Sequence, residues 1–195
     1  MPRTGKHRRD YRHTAEDGSE WDSPYEHKLY QGFLHAIGEL PARARKRVSV
    51  RRAIKGSSDT FDYVRPIRQA RCLACDSANV VQLCTYTPDL CVTVGERVYW
   101  VEAKGYFQQA KRAAFRDFIK RTPGVDVRVV LQRDHTAGKH GIVHYLNTYC
   151  PSVEVLIWKP TKKETPPIPR AWVDPDLAAK RFRATGTRGH DGSVH

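Results

Sequence analysis

Two acidic residues and a lysine surround a short apolar stretch, TYTPDLCVTVGERVYWVEAKGYF at residues 85–107. Asp89 precedes the first apolar half, and Glu102 and Lys104 lie two residues apart in the second half. One or two carboxylates, with water and substrate oxygens, hold a hard cation such as Mg²⁺, which activates water for attack on a phosphodiester. A fixed lysine can orient that water or stabilise the developing negative charge. These residue types therefore suit metal-dependent phosphodiester hydrolysis.

The local pattern predicts how these three side chains are positioned. Gly95 and Glu96 suit a tight turn between DLCVTV and RVYWVEAK, whose Val, Tyr, Trp and Thr content predicts two antiparallel strands. Glu102 and Lys104 then share one side of the second strand, and Asp89 enters the first strand at the open end. An exposed ion pair would contribute little, but two charges on one side of so apolar a strand are costly unless they line a cleft. We expect the three groups to converge.

A third carboxylate, Glu26, belongs to the predicted helix in DSPYEHKLYQGFLHAIGEL. Ser23 suits the cap, Pro24 suits the first helical position and Gly38 suits the end. Glu26 lies three residues before Leu29 of the apolar stripe, which puts its carboxylate on or beside the buried face. The Ser23-x-x-Glu26 pattern also fits a capping box, so the sequence leaves a catalytic and a capping interpretation open.

The charge balance favours a nucleic acid as the partner. The chain has 34 Lys and Arg against 21 Asp and Glu, a formal net charge of +13, which concentrates polyanions. It contains no apolar run of about 18 residues, so we expect no membrane partner and a cytoplasmic location. The segment ARARKRVSVRRAIK and a later helix carry the predicted DNA-contacting residues, which are Arg43, Arg45, Lys46, Arg47, Arg51, Arg52, Lys111, Arg112 and Arg116.

The remaining patterns predict a mixed α/β core, a central sheet flanked by helices. Downstream of the hairpin the chain reads as helix, strand, helix and strand at residues 107–121, 125–131, 141–150 and 152–158. Upstream, VVQLCTY reads as a buried strand. We expect a flexible basic arm at residues 1–20, one catalytic domain at residues 21–172, and a disordered basic tail at residues 173–195.

The acidic stretch also carries a resemblance to a known family. TPD at residues 87–89 followed by EAK at residues 102–104 resembles the PD-(D/E)xK motif of the restriction-endonuclease-like nuclease superfamily. TYTPDL, VYWVEAKGYF and VDVRVVL are similar to the phage endonuclease I type of Holliday-junction resolvase, in the same order from about Ser23 to Trp172. The resemblance implies a restriction-endonuclease-like fold and a homodimer, with element exchange a possibility, that hydrolyses opposing strands of branched DNA.

The same resemblance implies an active site formed by Glu26, Asp89, Glu102 and Lys104. Mg²⁺, with Mn²⁺ as a substitute, would be held by Asp89, Glu102 and the backbone carbonyl of Ala103, and Glu26 could be a further ligand. Other nucleases of this superfamily, acting on duplex ends, mismatches or transposition intermediates, fit the same motif. The sequence leaves the DNA substrate open among these activities.

The cysteines raise a different possibility. Cys72-x-x-Cys75 has the spacing of half a zinc site, and Cys84 and Cys91 follow, so a four-thiolate site and a non-catalytic zinc-organised DNA-binding module are conceivable. Cys84 lies in a strand-like run and Cys91 lies two residues after Asp89. We therefore expect Cys84 and Cys91 to be small buried residues rather than zinc ligands.

Overall fold

The computed structural model describes residues 13–67, 70–134, 141–161 and 164–178. The rest of the predicted arm and tail, residues 1–12 and 179–195, lies outside the described residues. Within the described ranges, no helix is both long enough and apolar enough to cross a bilayer.

The strands and helices follow one another in the order expected downstream of residue 80, with additional short elements upstream. In chain order they are β1 (His13–Thr14), β2 (Glu20–Trp21), α1 (Pro24–Gly38), α2 (Ala42–Arg45), β3 (Val48–Arg52), β4 (Phe61–Pro66), β5 (Val81–Tyr86), β6 (Leu90–Val94), β7 (Arg97–Lys104), α3 (Gln109–Arg121), β8 (Val127–Leu131), α4 (Ile142–Tyr149), β9 (Glu154–Ile157) and α5 (Arg170–Val173).

Five strands form the central sheet, in the order β3-β6-β7-β8-β9. The first three pair antiparallel, and β7, β8 and β9 run parallel through crossovers that contain α3 and α4. The predicted hairpin is confirmed, since Val94 pairs with Arg97 across a turn in which Gly95 has the left-handed φ of 64°. The predicted mixed α/β core with a central sheet flanked by helices is confirmed as well.

Each face of the sheet packs against its own group of helices. Leu29 and Phe33 of α1 lie in one apolar cluster with Trp158 and Trp172, and Phe118 of α3 lies in the other cluster. Residues of β8 alternate between the two clusters, as the period of a strand requires. Ala15, Val173 and Ala178, which lie in the predicted arm and tail, are also buried in the first cluster.

The prediction that VVQLCTY is a buried strand was half wrong. Residues 81–86 do form β5, but Val81 is 57% exposed and Leu83 is 70% exposed. The edge of β6 that faces away from β7 pairs with β3, so β5 cannot join the central sheet. It pairs instead with β4, which the sequence did not indicate, in a separate two-stranded sheet.

The start of the third helix also differs from the prediction. α3 begins at Gln109, because Gln108 has an extended backbone with ψ of 143°. Phe107 therefore precedes the helix, and it is nevertheless fully buried beside Phe115. The apolar stripe of the helix passes through Phe115 and Phe118.

Gly32 in α1 is expected to tolerate no side chain. A Cβ at this position would lie 2.9 Å from Cζ2 of Trp158, whose ring is held by a 2.7 Å hydrogen bond from Nε1 to the Pro166 carbonyl. We expect Gly32→Ala to lower the free energy of unfolding by about 1–3 kcal/mol, despite the better helix propensity of alanine. Urea denaturation measures the change.

Gly38 in the same helix provides the matched control. No atom lies within 4 Å of a Cβ built there. Gly38→Ala is therefore expected to leave stability unchanged or to raise it by up to about 1 kcal/mol. Equal effects of the two substitutions would show that the contact with Trp158 does not limit position 32.

Candidate active site

Asp89 is held at the point where β6 begins. Its backbone N–H donates to the Val101 carbonyl at 3.0 Å, and its carbonyl accepts from the Ala53 N–H at 3.0 Å. The paired register of β6 and β7 ends at Leu90 and Val101, and the Asp89 Oδ2 atom accepts from the Ala103 N–H at 2.7 Å. The carboxylate thus supplies the acceptor that this N–H needs once strand pairing stops. Asp89 is fixed against β7 by both its backbone and its side chain.

Glu102 and Lys104 project from the same side of β7, as predicted, and contact each other. The Lys104 Nζ atom forms an ion pair with Glu102 Oε1 and lies 3.4 Å from Asp89 Oδ2. Glu102 is only 3% exposed, and its Oε2 atom makes no hydrogen bond of normal geometry to a described residue, although the Tyr86 hydroxyl lies near the carboxylate and offsets part of the rise in its pKa that burial causes. A buried carboxylate oxygen without a partner is costly, and a bound cation would satisfy it. The structure brings together three of the four predicted catalytic residues through direct contacts.

Glu26 lies in the first turn of α1, which Ser23 caps, and faces the site. The Ser23 hydroxyl accepts from the Glu26 N–H at 3.2 Å and donates to Glu26 Oε1 at 2.9 Å. The capping interpretation holds in part, because Ser23 caps the helix, whereas the Glu26 carboxylate contacts the Ser23 hydroxyl rather than the backbone N–H that a capping box requires. Glu26 nevertheless lines a cavity of about 270 Å³ together with Asp89, so the two interpretations are compatible.

This cavity carries charges of both signs. Its lining residues are Asp22, Glu26, Arg52, Ala53, Lys55, Thr87, Pro88 and Asp89. Carboxylates beside cationic side chains suit a phosphate group with a divalent cation next to it. Lys55 and Thr87 were not among the predicted site residues. Lys55 is the last residue of the basic segment ARARKRVSVRRAIK, and Thr87 is the first residue of TPD. Both could have been predicted as site residues from these two patterns.

Three carboxylates share one ammonium group in this cluster. Burial, and next the charge of Asp89, raises the pKa of Glu102 to about 7 and the pKa of Glu26 to about 7. Burial alone lowers the pKa of Lys104, but the carboxylates of Glu102 and Asp89 outweigh it and raise that pKa well above its usual range. Proton uptake by the acids and binding of a divalent cation are two ways to relieve the same excess of negative charge.

The donor set fits a cation that keeps part of its water shell. Within residues 13–67, 70–134, 141–161 and 164–178, no three His, Cys, Asp or Glu side chains lie close enough together to hold a metal ion. Mg²⁺ requires only one or two carboxylates and completes its shell with water and phosphate oxygens. Asp89 and Glu102, with the unpartnered Oε2 atom, meet that requirement. The Ala103 N–H contacts Asp89, and the role of its carbonyl as a ligand stays a prediction.

Of the predicted DNA-contacting residues, Arg52 lies at the site. Its guanidinium group lies 4.9 Å from the centre of the Trp21 ring and donates to the Glu20 carbonyl, and the side chain lines the cavity with Asp89. Arg51, the adjacent residue, is instead bound to Asp59 through hydrogen bonds of 2.5 Å and 3.0 Å. Adjacent strand residues face opposite sides, which separates their roles.

The other basic residues of the first segment are exposed but lie outside the cavity lining. Arg45 donates to the carbonyls of Gly38 and Leu40 and so satisfies the end of α1, and Arg47 lies 3.8 Å from Asp176. Arg43 and Lys46 are exposed. Contacts of these four residues with DNA stay predictions.

The basic residues of α3 lie by a different cavity. Arg112 donates to the Phe107 carbonyl at 2.8 Å, and Arg116 is paired with Asp117 at 2.9 Å. Both line a cavity of about 380 Å³ with residues of α4 and its start, and Lys111 is exposed. The structure therefore does not bring these three residues to the acidic cluster, and their role in DNA binding stays a prediction.

Sequence patterns missed a buried acid, Asp59. It is 1% exposed, and it accepts from Arg51, from the Ile54 N–H at 3.0 Å and from Trp100 Nε1 at 3.3 Å. The hydrogen bond from Arg51 is the largest cause that lowers its pKa to about 2. GSSDT reads as a loop in the sequence, and no local pattern shows that its aspartate binds Arg51 of the preceding strand. Asp59 supports the strand that carries Arg52.

The conceivable four-thiolate site is not formed among the described residues. Cys91 is buried in β6 and Cys84 is half-buried in β5, whereas Cys72 and Cys75 lie in the connection between β4 and β5. No three of the four come close enough together to hold a metal ion in the part of the chain that is described.

The protein is thus an α/β protein. It has a cluster of carboxylates and one lysine at the point where β6 begins and β7 ends. Comparisons with family models, curated proteins and solved structures find no match to this chain. Its function must therefore be inferred from the chemistry of this cluster.

The acidic cluster predicts a specific pH dependence of stability. Glu102 has a pKa of about 7 when folded, against an ordinary 4.5. Since the folded state binds this proton more tightly, its contribution to stability is complete below pH 4.5 and is lost as pH rises through 7. Relative to Glu102→Gln, the metal-free protein should lose at most about 3 kcal/mol of unfolding free energy over this window, since one pKa unit corresponds to about 1.4 kcal/mol.

Urea unfolding of both proteins in chelator, at a series of pH values, measures this difference. Titrating groups outside the cluster are common to both proteins and cancel in the comparison, whereas groups coupled to Glu102 also respond to the substitution. Parallel pH profiles would contradict a raised pKa at Glu102.

Proposed function

We propose that the protein is a Mg²⁺-dependent endodeoxyribonuclease with a restriction-endonuclease-like fold. The observation that carries the proposal is the contact of one lysine, Lys104, with both Asp89 and Glu102, while a buried oxygen of Glu102 makes no hydrogen bond of normal geometry to any residue that the structure describes. Asp89 and Glu102, both in contact with Lys104, supply the one or two carboxylates that Mg²⁺ takes from a protein. The proposed substrate is a four-way Holliday junction or another branched DNA, cut as paired nicks by a homodimer.

The proposed reaction is hydrolysis of a phosphodiester, in which water attacks phosphorus and a sugar oxygen leaves. A bound Mg²⁺ supplies charge stabilisation at the phosphate and lowers the pKa of the attacking water. Asp89 and Glu102 are the residues that would hold it, and the Ala103 N–H fixes the orientation of Asp89. Lys104 keeps its proton, because its pKa is raised, and it presents a fixed positive charge beside the phosphate.

Glu26 and the cavity residues fit the same reaction. With its pKa near 7, the Glu26 carboxyl can accept or release a proton at neutral pH beside Asp89. Arg52 and Lys55 line the cavity together with Glu26 and Asp89, so a phosphate there would lie beside cationic groups and two of the acids. The net charge of +13 supports collection of DNA from solution.

The test compares an immobile four-way junction with its matched linear duplex, both end-labelled, at one stated salt concentration with Mg²⁺ or Mn²⁺. Paired symmetric nicks in the junction with an intact duplex would support a resolvase. Equal cutting of the junction and the duplex would support a nuclease but contradict a preference for junctions. The protein would then be a duplex, mismatch or transposition nuclease. No cutting of either substrate would contradict the nuclease proposal.

Lys55 is expected to contact a DNA phosphate at the cavity. We expect Lys55→Ala to weaken DNA binding by about tenfold and to reduce the slope of log affinity against log salt by about one. Lys159→Ala is the matched control, because Lys159 is exposed but lies outside the basic segment and does not line the cavity. Fluorescence anisotropy over a salt series measures the affinity and the salt slope of both variants. Equal losses of affinity would contradict a phosphate contact specific to Lys55.

A further inference from the structure

The connection between β4 and β5 contains a compact turn that presents two thiols. The Cys72 N–H donates to the Ser77 carbonyl at 2.9 Å, and the Asp76 N–H donates to the Cys72 carbonyl at 2.8 Å. Asp76 has a φ of 54°, the left-handed region that non-glycine residues rarely adopt. An ion pair of 2.6 Å between Arg71 and Asp76 closes the turn.

The turn directs hydrogen-bond donors at one sulfur atom. The backbone N–H groups of Ala74 and Cys75, followed by the Cys75 thiol, donate to the Cys72 sulfur and lower the pKa of that thiol. Backbone donors stabilise a thiolate, and the thiolate is the form that binds a metal. The side chain of Cys75 is exposed and that of Cys72 is half-exposed, so both sulfur atoms are accessible to a ligand.

Two thiolates are half of the ligand set of a structural zinc ion, which is tetrahedral and most often has four Cys or His ligands. The described part of the chain does not supply the other half near this turn. Cys91 and Cys150 are buried, and Cys84 is half-buried within β5. A two-fold axis through a metal at the turn would provide two more thiolates from the same residues of a second copy.

The surface beside the turn also lacks a cover. Leu73, between the two cysteines, is fully exposed, and Leu83 of β5 and Val64 of β4 are each more than two-fifths exposed. Val64 and Leu83 are register partners across β4 and β5, and exposed apolar side chains paired in this way suit association with another chain.

We propose that the Cys72–Cys75 turns of two copies of this chain bind one Zn²⁺ ion through four thiolates and so join the two chains. Binding displaces the remaining thiol protons, so the affinity increases with pH. The site is remote in sequence from Glu102 and Lys104 and does not depend on nuclease activity. Its failure would leave the proposed reaction untouched, and the absence of DNA cleavage would leave the zinc site untouched.

The experiment measures zinc content and mass on the full chain, purified under reducing conditions with zinc. Elemental analysis is expected to find one zinc ion for every two chains, and light scattering is expected to find a dimer. Co²⁺ in place of zinc should give the intense visible bands of a tetrahedral site and thiolate charge-transfer absorption that corresponds to four sulfur ligands. The cobalt spectrum counts thiolates even if another surface also holds the chains together.

Cys72→Ser and Cys75→Ser should each lose the zinc. Cys84→Ala is the matched control and should retain it, because Cys84 lies in β5 rather than in the turn. One zinc ion per chain, a cobalt spectrum of two thiolates, retention of zinc by both serine variants, or no zinc in the wild-type protein would each overturn the proposal.

Discussion

Glu102→Gln is expected to reduce the rate of DNA cleavage by at least about a thousandfold, which corresponds to about 4 kcal/mol of transition-state stabilisation. The amide nearly preserves the shape of the side chain but removes the negative charge that would hold the cation. The buried Oε2 atom, which has no partner among the described residues, would be replaced by a neutral group. Single-turnover cleavage of the junction at saturating protein measures the effect on chemistry alone.

The control for this substitution lies at the other end of the same hairpin. Glu96 is exposed in the turn between β6 and β7, so Glu96→Gln changes the same functional group without touching the cluster. It should cleave at the wild-type rate. DNA binding, measured in chelator at fixed salt, should be unchanged or slightly tighter for Glu102→Gln, since a negative charge is removed. Cleavage at the wild-type rate by Glu102→Gln would show that this carboxylate does not take part in catalysis.

Lys104→Met is expected to destabilise the metal-free protein by about 3–5 kcal/mol, because it leaves buried carboxylates without their counter-charge. The loss should grow as pH rises through 7, where Glu102 and Glu26 ionise. The double variant Glu102→Gln/Lys104→Met should recover much of the loss, since the most buried charge is then absent. Chemical denaturation of the four proteins forms a double-mutant cycle that measures the coupling free energy.

A lysine on the surface is the control for the second prediction. Lys111 is exposed on α3, so Lys111→Met should change stability by no more than about 0.5 kcal/mol. An effect of Lys104→Met as small as that of Lys111→Met would show that the carboxylates do not depend on this ammonium group. Additive effects in the cycle would show that Glu102 and Lys104 are not energetically coupled.

Local patterns were sufficient to predict the elements that carry the acidic cluster. The Val, Tyr, Trp and Thr content and the glycine turn predicted β6 and β7, and the shared face of Glu102 and Lys104 then followed from the strand period. Ser23 and Pro24 marked the start of α1, which begins at Pro24 and ends at Gly38 as expected. These features were predictable because each depends on residues a few positions apart.

Contacts between distant segments decided what the sequence could not. Whether β5 joins the central sheet depends on β3 already occupying the edge of β6, and whether Arg51 is free for phosphate depends on Asp59 in a later loop. The position of Lys55 beside Asp89 likewise arises from packing rather than spacing. Local sequence was enough to predict the strand pair and the side on which Glu102 and Lys104 project. Which charges are buried, which are paired and which line the cavity depends on the packed chain, because burial and pairing between segments arise only when the chain folds.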